Sequence, residues 1–136
     1  MAKLTFISVK GLVPHSAAQL HFEKLQVDDM WLGFGPAQHH SPGWPKAAEG
    51  KIFSDDETHR LNHGIIFSVP DDLLFEAART VTRMYADKKY KVGVVDCVSF
   101  TADLAREVGL RVPLLNFTPY GLIEILGFWN KYEKKW

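Results

Sequence analysis

The hydrophobic period changes once along this chain, near Pro70, and that change limits the folds open to it. Before Pro70 the apolar residues alternate with polar ones or come in short runs. "LTFISV" (4–9), "MWLGFG" (30–35) and "HGIIFSVP" (63–70) are rich in β-formers and read as strands. Over 16–25, Ala18, Leu20 and Phe22 fall on one face and Gln19, His21 and Glu23 on the other. "QVDD" supplies the turn of a hairpin into 30–35. After Pro70 the repeat is helical. Residues 71–89 are apolar at 73, 74, 77, 78, 81, 84 and 85, with Asp71 and Asp72 at the first turn and Lys88 and Lys89 at the last. A second helix is expected over 97–109, capped by Asp96 and closed by Gly109. A third follows Thr118 and Pro119, with Leu122, Ile125, Leu126 and Trp129 as its docking residues. Strands first and helices last imply an α+β fold, a small antiparallel sheet packed against about three helices.

Length and charge narrow the function classes. A chain of 136 residues favours one domain over 1–136 and can bury a core without staples. Sixteen basic residues balance sixteen acidic ones, so no global field points to nucleic acid and none is expected as a partner. The single cysteine excludes an internal disulfide. No run approaches the ~18 apolar residues of a membrane span. The N-terminal stretch lacks the apolar segment of a signal peptide. The expectation is synthesis in the cytoplasm, with a dedicated machine needed to carry the protein elsewhere. "PAQHHSPGWPKAAEGK" (36–51) holds three prolines and two glycines and reads as a long functional loop. "DDETHRLNH" (55–63) and the end "KYEKKW" read as solvated.

The chemistry centres on "YKVGVVDCVSF", which sets Cys97 at the start of the second helix. A lone cysteine is often a small buried hydrophobe, and composition alone favours that reading. At a helix N-terminus, however, backbone N–H groups and the dipole lower the thiol pKa. A thiolate also needs a group to take and return a proton, and histidine suits that task. The candidates are His15, His21, His39, His40, His59 and His63. The adjacent pair His39–His40 lacks metal-ligand spacing, so no metal or cofactor is expected.

The order of several pieces adds to this. "PHSAAQLHFE" opens a strand on His15, and "WLGFGPA" follows as an aromatic–glycine strand. "FSVPDDLLFEAARTVTRMY" gives strand, turn and helix. In "YKVGVVDCVSF", Tyr90 lies seven residues before Cys97 and Phe100 three after. "GLRVPLLNFTPYGL" ends on a TPxxL segment. Together these resemble the circularly permuted branch of the NlpC-type, papain-like cysteine hydrolases, in which the histidine strand precedes the cysteine helix. The resemblance covers nearly the whole chain. It departs at Asp96, where the family often has Asn, at Pro14 before His15, and at the small Ala17 and Ala18.

The resemblance implies a papain-like permuted fold with Cys97 as nucleophile and His15 as general base. It implies cleavage of an amide bond in a peptide or cell-wall substrate, most naturally a peptidoglycan stem peptide. A secreted interbacterial toxin or a lysis enzyme would fit, with secretion machinery or an immunity protein as partner. From the expected hairpin register, Gln38 or His39 could orient the imidazole, and a dyad without a third side chain stays open. Trp44, between Pro42 and Pro45, is the best substrate-contact candidate, joined by Tyr90 and Asp96 beside the cysteine. Tyr90 reads more simply as a buried aromatic, and Trp31 and Phe34 as cleft wall or core. Two other readings remain. The same dyad could serve a lipid acyltransferase, phospholipase or thioesterase, and the amphipathic "YGLIEILGFWNKYEKKW" would suit a membrane surface. Alternatively, the chain is a binding module with an inert, buried Cys97.

Overall fold

Alternation decides the sheet and its two faces. The computed structural model describes residues 1–9, 15–37, 47–54, 61–114 and 118–136, with only the backbone at 61 and 62. The strands are β1 (Ala2–Val9), β2 (His15–His21), β3 (Met30–Pro36), β4 (Ala48–Phe53), β5 (Leu61–Val69), β6 (Lys89–Tyr90) and β7 (Lys134–Lys135). They form an antiparallel sheet in the order β6-β4-β3-β2-β1-β5-β7. The helices are α1 (Asp71–Tyr85), α2 (Cys97–Glu107) and α3 (Pro119–Trp129). The fold is α+β, as the change of period implies.

One face of the sheet makes the main core. Leu4, Phe6, Ala18, Leu20, Phe34, Ile65 and Phe67 pack there with Leu74 and Val81 of α1, Phe100 and Leu104 of α2, and Leu122 of α3. Each large side chain removed from water contributes about 1.5–3 kcal/mol, which offsets the entropy of fixing the chain. α2 lies on β2 and β3, and α3 on β1 and β5. Phe34 ties α1 to α2, with the Tyr85 ring edge-on at 5.0 Å and the Phe100 ring stacked at 6.3 Å. The opposite face holds a smaller cluster of Ile7, Val9, Ala17 and Trp31.

Several elements depart from the expected ones. Ala48–Phe53 is a strand inside a segment that reads as loop, and it pairs with β3 from Gly33–Phe53 to Pro36–Gly50. Gly50 permits this, because a Cβ there would stand 2.3 Å from Phe34 Cζ and 2.5 Å from the Lys88 carbonyl oxygen. α1 stops at Tyr85, and Lys89, expected in the helix, joins Tyr90 in a short strand paired with β4. α3 stops at Trp129, which is 44% exposed rather than docked. The terminal residues are not simply solvated either. Lys134–Lys135 pairs with β5, Lys3 bonds Glu133 at 2.8 Å, and Lys135 bonds Glu124 at 2.9 Å. His63, expected in a solvated stretch, is buried on β5. Among the described residues, no helix is long and apolar enough to cross a membrane.

Candidate active site

The start of α2 is fixed by local hydrogen bonds. Asp96 is its N-cap: Oδ1 accepts from Ser99 N at 3.0 Å, and Asp96 N donates to Ser99 Oγ at 2.9 Å. Asp96 Oδ2 also accepts from Gly93 N at 2.9 Å, closing the turn before the helix. Cys97 is therefore the first helical residue, where the backbone N–H groups of Cys97 and Val98 favour its thiolate. Val98, Phe100 and Leu104 are buried and hold the helix against the sheet, as the spacing predicts. The other end closes at Gly109, whose φ of 87° favours glycine.

The start of β2 meets this helix end. Ser16 N donates to Cys97 Sγ at 3.4 Å, joining residues 81 apart in sequence. Ser16 Oγ lies 2.7 Å from Thr101 Oγ1, and the Thr101 hydroxyl reaches back to the carbonyls of Cys97 and Val98, each at 3.1 Å. This buried chain of hydroxyls pins the second residue of β2 to the first turn of α2. His15 is the residue before. Its side chain leaves on the face of Ala17, and its ring lies over Gly33 of β3. A Cβ on Gly33 would come within 2.9 Å of His15 Nε2 and 3.4 Å of Cε1. The sulfur and the imidazole thus approach the opening of β2 from its two sides.

Burial, not the helix, sets the resting state of the thiol. Cys97 is 5% exposed. Burial pushes its pKa up to about 11, and the Asp96 carboxylate adds to that, against the N–H groups of Ser16, Val98 and Cys97. The expected lowering by the helix N-terminus is present but smaller than the desolvation. With a pKa of about 11, roughly one thiol in 10⁴ is ionised at pH 7. The Tyr90 hydroxyl is likewise held protonated, first by burial and then by the charges of Cys97 and Asp96.

Of the expected site, Cys97, Asp96 and Tyr90 lie around the start of α2, while His15 opens β2 with its side chain on the Ala17 face, away from α2. Tyr90 is buried against Phe34, ring centroids 5.9 Å apart, so it acts as packing beneath the cysteine turn. Asp96 is buried and its oxygens are committed to the cap, so it positions the helix rather than meeting a substrate. Gln38, His39 and Trp44 lie outside the described residues. With Ala17 opposite Gly33, the register carried two residues further sets Gly35 across from His15. His21 is exposed and bonds Asp29 at 2.7 Å. His63 bonds Glu124 at 2.8 Å and the Trp136 main-chain oxygen, and its ring stacks on Tyr120. Sequence reasoning overlooked Ser16, Thr101 and Gly33. Only Gly33 carried a signal, since a glycine inside a strand often marks a close approach.

No family model matches this chain, and no curated protein or solved structure shows significant similarity to it.

Proposed function

We propose that the chain is a papain-like thiol hydrolase that cleaves an amide bond, with Cys97 as nucleophile and His15 as general base. The observation that supports this is the contact of Cys97 Sγ with Ser16 N, which seats the first residue of α2 at the opening of β2, one residue from His15 in the chain. Burial pushes the Cys97 thiol up to about 11, which favours its protonated form at neutral pH. The proton is proposed to move as the bond forms: the His15 ring turns from over Gly33 across the opening of β2 and takes it from sulfur while sulfur attacks the carbonyl carbon. The oxyanion is stabilised by N–H at the start of α2. His15 then gives the proton to the leaving amine, and water releases the acid and restores the thiol. Peptidoglycan stem peptides are the substrate class we favour, on the resemblance of the ordered motifs. Delivery to the periplasm of a target cell by a secretion machine fits that reading.

The burial of Cys97 favours a second reading, a binding module in which the thiol is inert. One experiment separates them. Wild type, Cys97→Ala and His15→Ala are incubated with purified sacculi and, separately, with phospholipid vesicles, and products are read by mass spectrometry. The proposal expects new peptide termini from sacculi with wild type only. Released fatty acid would move the chemistry to an ester. Unchanged sacculi and vesicles would leave the binding module.

A further inference from the structure

We propose that the outer surface of α3, with the segment after it, docks on an anionic phospholipid surface. The inner side of α3 is spent on the core through Leu122, Ile123 and Leu126. Its outer side is apolar and open: Phe128 is 83% exposed, Tyr120 53%, and Trp129 and Tyr132 44% each. Single exposed apolar residues are ordinary, but Phe128, Trp129 and Tyr132 adjoin one another. Phe128 lines one hollow with Ile125 and Lys135 and a second with Arg111 and Trp129. The Tyr132 ring edge lies 3.6 Å from where a Cβ on Gly127 would stand. Asn130 fixes the rim, with Oδ1 accepting from Arg111 N at 2.8 Å and Nδ2 donating to the Arg111 carbonyl at 2.9 Å.

Charge selects the occupant. Among the described residues, the Arg111 and Lys131 side chains have no acidic partner. Glu124, the carboxylate within the patch, is already held by Lys135 at 2.9 Å and His63 at 2.8 Å. The free charges at the rim are therefore positive, which complements anionic headgroups. A second copy of the chain fits worse, because a two-fold contact through this patch would gather the Arg111 and Lys131 charges of both copies in one interface with no unpaired carboxylate of the patch to meet them. Trp and Tyr with an apolar body and polar tip, beside Phe and Lys, suit the headgroup boundary. α3 has 11 residues, so it lies along such a surface rather than through it. The assignment does not depend on the thiol chemistry.

Sedimentation with vesicles tests it. Wild type is expected to sediment with vesicles of phosphatidylcholine mixed with phosphatidylglycerol. Binding should fall with added salt and with pure phosphatidylcholine. The paired variants Phe128→Ser with Trp129→Ser, and Arg111→Glu with Lys131→Glu, should each lose about tenfold or more in binding. Thermal melts of both are expected to match wild type, since these side chains are exposed. Cys97→Ala should sediment as wild type does. Wild type left in the supernatant, or full binding by either paired variant, would overturn the proposal. A wild-type dimer by light scattering that Phe128→Ser with Trp129→Ser dissolves would overturn it in favour of self-association.

Discussion

Gly33→Ala tests the placement of His15 without replacing either side chain of the proposed pair. The added Cβ would stand 2.9 Å from His15 Nε2, 3.4 Å from Cε1 and 3.7 Å from the Ser16 carbonyl oxygen. The last contact is ordinary, so the backbone need not move. The ring must retreat by about 0.6 Å to reach a normal separation of about 3.5 Å from the position now at 2.9 Å. A ring at the end of two rotatable bonds can do this at small cost, and alanine recovers some of the entropy that glycine loses in a strand. Stability should therefore change by no more than about 1 kcal/mol. Catalysis is less tolerant, since a misplacement of about 1 Å can cost a hundredfold. Hydrolysis should fall roughly tenfold to a hundredfold. The assay pairs the rate of stem-peptide cleavage with a urea melt and with heteronuclear NMR of the His15 ring. A shifted ring resonance, an unchanged melt and a slower rate are expected. An unchanged rate with a shifted ring would refute the role given to His15.

Three further outcomes follow from the same geometry. The folded-state pKa of Cys97 is raised from 9.0 to about 11, so its contribution to stability is full below pH 9 and is lost as pH rises towards 11. Between those limits wild type should lose about 2–3 kcal/mol more than Cys97→Ala in denaturant titrations, and parallel pH profiles would contradict this. Asp71 is buried, which works against its charge, but Oδ2 accepts from the N–H groups of Glu23, Lys24 and Leu25 at 2.9, 2.8 and 3.2 Å, which holds its carboxyl below the usual range. Its contribution is present above the ordinary Asp pKa of 3.8 and is lost as pH falls through the lower folded value, so the destabilisation of Asp71→Ala at pH 7 should shrink in strong acid. Gly50→Ala forces a Cβ to within 2.5 Å of the Lys88 carbonyl oxygen, a main-chain atom, and should cost about 2–4 kcal/mol in the same titrations.

What could be read from the sequence was what local chemistry decides. Alternation placed β1, β3 and β5, and the caps Asp96 and Thr118 placed the starts of α2 and α3 because each bonds a backbone N–H within three residues, Ser99 N and Gly121 N. β4 has no such local signature. Its register depends on pairing with Gly33–Pro36 and on the room Gly50 leaves for Phe34, both set by distant residues. β6 and β7 have two residues each and exist only as partners of β4 and β5. The α3 periodicity places Trp129 among docking residues, but the helix meets the sheet through Leu122, Ile123 and Leu126, leaving Trp129 outside. The candidate site divides the same way. That Cys97 begins a helix follows from Asp96 beside it. That its thiol is pushed up rather than down follows from the packing of β2 and α2 around it, which no spacing reports.

The acyl-enzyme is the most direct test of Cys97 as nucleophile. Wild type and His15→Ala are mixed with stem-peptide substrate, quenched in acid during turnover, digested, and mapped by mass spectrometry. The peptide containing Cys97 should carry a thioester-linked acyl fragment of the substrate in wild type, and far less in His15→Ala. Product formed without that adduct, or formed equally by Cys97→Ala, would contradict the account.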